Sequence, residues 1–112
     1  MLYPLNLLNK PILDTTYRAV AGETVVAAAS ARDIVLLEGN VYFPPDAVDW
    51  DHLVRSERTS LCPWKGTANY YDVVVDSERF PAAAWTYETP SPAARQIAGH
   101  IAFWRGVHVT KD

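Results

Sequence analysis

One cysteine, Cys62, is the entire thiol content of this chain. A lone cysteine excludes an intrachain disulfide and any multi-cysteine zinc site. Lysine is scarce: three residues, within 10 Lys+Arg against 13 Asp+Glu, for a formal charge of −3. That balance lacks the basic footprint of a non-specific nucleic-acid binder. No apolar run approaches the roughly 20 residues that span a bilayer. The opening Met1-Leu2-Tyr3-Pro4-Leu5-Asn6-Leu7-Leu8 is apolar, yet no basic residue precedes it and no small-residue cleavage site follows. A secretory leader is therefore not expected, and an unpaired cysteine points to the cytoplasm. Phosphate-cradling loops, serine-nucleophile elbows and zinc-protease helices are also missing. His52 and His108 do not suggest a metal site. No cofactor is expected.

What the chain does have is rings and turns: four Trp, six Tyr and eight Pro in 112 residues, with 49% hydrophobic residues. This composition fits one packed domain. Arg18 to Ala29 reads as two short strands about Ala21-Gly22-Glu23, where Gly22 supplies a hairpin's positive φ. Ile34-Val35-Leu36-Leu37 is a further apolar run closed by Gly39-Asn40. Val41-Tyr42-Phe43 ends at Pro44-Pro45, because proline cannot donate to a ladder. Trp50, Leu53 and Val54 have i, i+3, i+4 spacing, which predicts a short connecting helix within Asp46 to Arg55.

Tyr70 to Val75 is the clearest strand, Asp76-Ser77-Glu78 a polar turn, and Phe80 to Tyr87 extended again. Ser91 and Pro92 open a helix whose small apolar face is Ala93, Ala94, Ile97 and Ala98, with Gly99 as its stop. Ile101 to Val109 returns to an extended chain. The expectation is a mainly β, single-domain protein of about seven short antiparallel strands, with one short helix near the C-terminus. Residues 1–17 form an N-terminal arm and 18–112 the domain.

Two stretches hold the chemistry. Cys62-Pro63-Trp64-Lys65-Gly66-Thr67-Ala68-Asn69-Tyr70-Tyr71 puts a thiol, a cation, an indole and two phenols into ten residues. Lys65 suits an anionic group, and Trp64 or Tyr71 a planar ring. Cys62 becomes a nucleophile if Lys65 or a histidine lowers its pKa, although a lone cysteine is most often a small buried hydrophobe. In Ala83-Ala84-Trp85-Thr86-Tyr87, alternation puts Trp85 and Tyr87 on one face. His100 directly follows the helix stop, as an acid/base candidate or a satisfied surface histidine.

These stretches resemble the signatures of the "domain of unknown function 427" family. The first decapeptide is similar to one signature. Ala83 to Tyr87, then Pro90, then Ile97-Ala98-Gly99-His100-Ile101-Ala102-Phe103 is similar to a second, and Val41 to Val48 to a tyrosine–phenylalanine–proline turn. The resemblance runs from about Arg18 to Val109. It implies a small mainly-β fold of the β-tent (Mss4-like) type. The family also carries a nucleotidyltransferase-like label, for which this chain has neither a glycine–serine motif nor paired metal-binding aspartates. Relatives of the fold bind zinc through paired cysteines or reduce methionine sulfoxide. A single Cys62 excludes that zinc site and leaves no resolving thiol.

Three functional readings follow. The first is a module binding a small polar or anionic ligand in an aromatic-walled cleft built from Trp64, Lys65, Tyr71, Trp85 and Tyr87, its partner being a small molecule rather than nucleic acid or membrane. The second is a structural or protein-interaction module that dimerises. The third is a small enzyme using Cys62, or Lys65 with His100.

Overall fold

The computed structural model describes residues 15–112. Nine strands alternate with short 3-10 turns: β1 Thr16–Ala21, β2 Thr24–Ser30, β3 Val35–Leu37, β4 Asn40–Tyr42, β5 Leu53–Cys62, β6 Gly66–Val75, β7 Glu78–Thr86, β8 Ile101–Phe103 and β9 Val107–Lys111. All named pairings are antiparallel. They make a three-stranded sheet in the order β2-β1-β9, a hairpin β3-β4, and a four-stranded sheet β5-β6-β7-β8. The mainly β expectation holds. The expected arm over 1–17 falls mostly outside the described residues, and β1 begins at Thr16. Among the described residues no helix is long and apolar enough to cross a membrane.

The four-stranded sheet is covered on both faces. On one side Val73, Val75, Ala84, Ile101 and Phe103 pack with Ala19, Ala21 and Val26 of the three-stranded sheet. On the other, Ala68, Tyr70, Trp85 and Ala102 pack with Tyr42, Ala94 and Ile97. Strand alternation explains the split: Ala68 and Tyr70 of β6 face one way, Val73 and Val75 the other. Two-sided burial also explains the unbroken buried run Ala82–Tyr87, which has no polar alternation. The β3-β4 hairpin is fastened to this sheet by a reciprocal pair of 2.8 Å hydrogen bonds between Phe43 and Ile101. That junction sets Asn40 and Tyr42 beside the second cluster.

Several local expectations are corrected. The helix within Asp46 to Arg55 is instead two three-residue 3-10 turns, Pro45–Ala47 and Trp50–His52, and Leu53 opens β5. Leu53 is buried opposite Val73, whereas Trp50 and Val54 are exposed, so the three residues share no helical face. Strand β5 was not foreseen. Its residues Arg55, Glu57, Arg58, Thr59 and Ser60 are exposed on an edge strand, where charge blunts unwanted pairing. The C-terminal helix is a six-residue 3-10 segment, Pro92–Ile97, kinked at Ala94. A segment this short cannot recover α-helical nucleation. Its period of three buries Ala94 and Ile97 and leaves Ala93 and Ala98 exposed. Ser91 caps no backbone N–H here; its hydroxyl donates to the Trp64 carbonyl. The turn expected at Gly39-Asn40 lies at Glu38-Gly39, both residues at positive φ (54° and 79°). Finally, the extended run from Ile101 breaks at Trp104–Gly106 and serves two different sheets.

Candidate functional site

On the second face of the four-stranded sheet lies a cleft of about 290 Å³, lined by Asn40, Tyr42, Lys65, Tyr70, Trp85, Tyr87 and Trp104. Each wall residue is placed by a distinct piece of chain. Asn40 and Tyr42 come from β4, Tyr70 from β6, and Trp85 from β7. Tyr87 follows β7, where Gly99 donates to its carbonyl at 3.0 Å. Lys65 ends the three-residue loop between Cys62 and Gly66, which pair across β5 and β6.

That loop is clamped from outside: Ser91 N–H donates to the Lys65 carbonyl at 2.9 Å. The backbone conformation of the loop's end explains Gly66. At φ +112° a side chain there is strained, and a Cβ would face the backbone of Thr89, Pro90 and Ser91 at 3.6–3.8 Å.

Trp104 is held by a bulge. Between the pairs Tyr71↔Ala84 and Val73↔Phe80, strand β7 carries Pro81, Ala82 and Ala83 opposite Asp72 alone. Ala82 sits at φ +50°. The Asp72 carboxylate accepts its N–H at 2.7 Å. The freed Ala82 carbonyl then accepts the Trp104 indole N–H at 2.7 Å, and the Ala83 carbonyl accepts the Trp104 backbone N–H at 2.9 Å. The bulge re-aims the chain so that an indole forms a wall, a recurrent use of bulges beside sites.

The rings interlock edge to face: Tyr42 with Trp85 (6.2 Å, 88°) and Trp85 with Trp104 (5.3 Å, 70°), while Tyr70 and Trp104 are inclined by 31° at 6.4 Å. The Trp85 indole N–H donates to the Tyr42 hydroxyl at 3.3 Å. The Tyr70 hydroxyl pairs with Ser60 at 2.9 Å. Neither the Tyr87 hydroxyl nor the Asn40 amide has a side-chain hydrogen bond among the described residues. Both are therefore available to a bound molecule.

The Lys65 side chain is only 8% exposed. Its ammonium pairs with the Glu38 carboxylate from the tip of the β3-β4 hairpin, and Glu38 also accepts the Trp64 indole N–H at 3.2 Å. The ammonium stands 5.2 Å from the Trp64 ring centre and 5.5 Å from that of Tyr87. Burial pulls the Lys65 pKa down, but the bond to Glu38 together with the nearby Tyr87, Cys62 and Glu38 charges outweighs it and holds the group above its ordinary value. Reciprocally, the bonds from Lys65 and Trp64 hold Glu38 below the usual carboxylate range. Burial raises the phenol pKa values of Tyr42 and Tyr87. Glu38 at αL is an unusual residue for such a turn, which favours Asn-Gly. Its carboxylate is used, which accounts for a strained choice at this spot.

The residues singled out from sequence divide. Lys65, Trp85 and Tyr87 meet in the cleft. Trp64 flanks Lys65 at the mouth without lining the interior. Tyr71 lies on the opposite face, half-buried against the first cluster, edge-on to Trp50 at 5.5 Å and bonded by Arg55. Adjacent tyrosines in a strand point to opposite faces. His100 is bonded to the Ala98 carbonyl at 3.2 Å, apart from the cleft lining. Cys62 packs on the second cluster. Burial raises its thiol pKa, but N–H groups of Lys65 and Trp64 and the Lys65 charge outweigh this and hold it below the ordinary value. Sequence reasoning missed Asn40, Tyr42, Tyr70 and Trp104. Only the ring chemistry of the three aromatics and the turn signal at Asn40 were visible, since the bulge and the hairpin junction that aim these residues are tertiary features. Among the described residues, no group of three or more His, Cys, Asp or Glu gathers to hold a metal ion.

Fold and cleft thus define a small antiparallel-β domain with an aromatic-walled cleft at a sheet face. The family model described as Domain of unknown function (DUF427) matches residues 13–111. The chain belongs to that family. No curated protein matches it.

Proposed function

We propose that this domain is a binding module that holds a small polar ligand in the aromatic-walled cleft. The observation that carries the reading is the convergence of five rings, Lys65 and two polar groups without a side-chain partner among the described residues, the Tyr87 hydroxyl and the Asn40 amide, on one cavity of about 290 Å³. Aromatic walls with a few convergent polar groups are a usual form of small-molecule site, and this volume lies at the lower bound of the usual range of about 300–1,000 Å³. The rings supply stacking area, while Tyr87, Asn40 and Lys65 supply direction. The β-tent assignment and a cytoplasmic location belong to this same reading. They rest on the family resemblance and on the lone unpaired thiol.

The test is a thermal-shift screen of small metabolites against the parent chain, Tyr87→Phe and Lys65→Ala. A hit whose shift is lost in Tyr87→Phe is the expected result. Hits that raise the unfolding temperature equally in all three proteins overturn the site.

One observation favours an interaction module as the second reading: Leu61, on edge strand β5, is 76% exposed. Sedimentation of the parent and Leu61→Ser decides it, a concentration-dependent dimer in the parent alone being the supporting outcome.

A further inference from the structure

The cleft's charge balance is not set by Lys65. That ammonium is already matched by Glu38. Two other cations border the same rings. The Arg58 guanidinium lies 5.0 Å from the ring centre of Tyr70, and the Arg105 guanidinium 4.3 Å from that of Trp104. Tyr70 and Trp104 are neighbours in the cleft wall, 6.4 Å apart. Among the described residues Arg18 pairs with Asp112, Arg55 with Glu88 and Arg79 with Asp72, while Arg32 and Arg95, which have no carboxylate partner, lie outside the cleft lining. Arg58 and Arg105 have no carboxylate partner among the described residues. In a chain whose formal charge is −3, two guanidinium groups without a carboxylate partner among the described residues therefore stand over two adjacent rings of the cleft wall, without lining the cavity themselves.

They reach these places from unrelated parts of the fold. Arg58 lies within the irregular stretch of β5 between Arg55 and Thr59, where two extra residues bulge out of register with β6. Arg105 is at φ +51° in the turn that leads from β8 to β9. A non-glycine residue at positive φ is a strained backbone choice. A guanidinium stacked on a ring face keeps its N–H fork free in its own plane, offset from the ring, and that fork matches the oxygens of a phosphate or carboxylate.

We propose that Arg58 and Arg105 form an anion-binding rim on the aromatic cleft, so that its ligand is an oxyanion carried on a flat ring. The inference rests on the cleft reading above and adds the charge class and two recognition residues. The ring packs on Trp85 and Trp104, and the anionic oxygens take the arginine N–H groups.

The experiment titrates the full chain with phenyl phosphate, phenol and inorganic phosphate, followed by the indole N–H resonances of Trp85 and Trp104. Both arginines are exposed, so Arg58→Ala and Arg105→Ala are checked for a parent-like unfolding temperature and then titrated. Phenyl phosphate is expected to saturate both signals at lower concentration than phenol or phosphate. Each alanine variant is expected to weaken phenyl phosphate about tenfold and to leave phenol unchanged, the size of one charge-assisted hydrogen bond. Arg→Lys at either position keeps charge without the fork and is expected to fall between. If phenol binds as tightly as phenyl phosphate, or if the alanine variants bind phenyl phosphate like the parent, the rim is overturned and the cleft reading stands. If inorganic phosphate binds as well as phenyl phosphate, the flat-ring half of the proposal is overturned. If no probe moves either indole signal at millimolar concentration, the rim and the cleft reading fall together.

Discussion

Replacing Asp72 tests whether a single carboxylate holds a wall of the cleft. Asp72 accepts the Ala82 N–H at 2.7 Å and the Arg79 Nε–H at 2.9 Å, with its side chain 17% exposed. Asp72→Ala leaves the Ala82 N–H without its acceptor in a half-closed site. The loss of a hydrogen bond to a charged group is about 1.5–3 kcal/mol. The Arg79 pair, whose guanidinium is largely exposed, adds well under about 1 kcal/mol. The expected destabilisation is therefore about 2–3 kcal/mol. For a domain of this size each kcal/mol shifts the unfolding temperature by about 4–8 °C, so a drop of roughly 10–20 °C is expected by circular dichroism.

Two controls separate the contacts. Asp72→Asn retains an acceptor oxygen for Ala82 and costs about 1 kcal/mol. Arg79→Ala removes the ion pair alone and costs less than that. Because Ala82 and Ala83 carbonyls fix Trp104, the Trp104 indole resonance also broadens or shifts in Asp72→Ala and not in Arg79→Ala. An unfolding temperature within about 2 °C of the parent, with an unmoved Trp104 signal, would refute the role given to the bulge.

Other outcomes follow from the same geometry. At Gly106 a methyl group would meet Phe80 Cδ2 at 2.8 Å with φ at +99°, so Gly106→Ala costs about 2–4 kcal/mol in a denaturant titration. Gly39→Ala, with nothing within 4 Å and φ +79°, bears the backbone cost alone, about 1–2 kcal/mol. Glu38 has its folded pKa lowered below the ordinary 4.5, chiefly by Lys65. Stability from that pair is present above the unfolded value and is lost as pH falls through the lower folded value. Glu38→Gln is expected to flatten the acid limb of a stability–pH curve, and an unchanged limb counts against the pair. Cys62, held below its ordinary 9.0, is expected to alkylate faster at neutral pH than a free peptide thiol. Lys65→Met is expected to slow it, and equal rates contradict the Lys65 contribution.

Legibility differed from place to place. The hairpin about Gly22 and the strand Tyr70–Val75 were readable because turn chemistry and β-branched runs act locally. Strand β5 was not, because an exposed edge strand needs no apolar alternation and gains its hydrogen bonds from β6. The spacing of Trp50, Leu53 and Val54 misled for a related reason. Leu53 belongs to a strand pair, and partner strands override a three-residue helical pattern. In the cleft, Trp85 and Tyr87 shared a face by alternation, and the separate Cys62–Tyr71 stretch gave Lys65 as its one lysine. Tyr71 was misplaced by one register position, the smallest error that sends a side chain through the sheet.

By itself the sequence determined the class, one mainly β domain, and the family, through ordered motifs between about Arg18 and Val109, within the residues 13–111 that the family model matches. It also determined, by having one thiol, that no disulfide or paired-cysteine site exists within the chain. The tertiary structure alone decided which rings form a cleft, that Glu38 matches Lys65 across 27 positions, and that Arg58 and Arg105 stand beside the rings of Tyr70 and Trp104. Local propensity acts over a few residues, whereas a sheet bulge, a hairpin junction and a long-range ion pair depend on strands far apart in the chain.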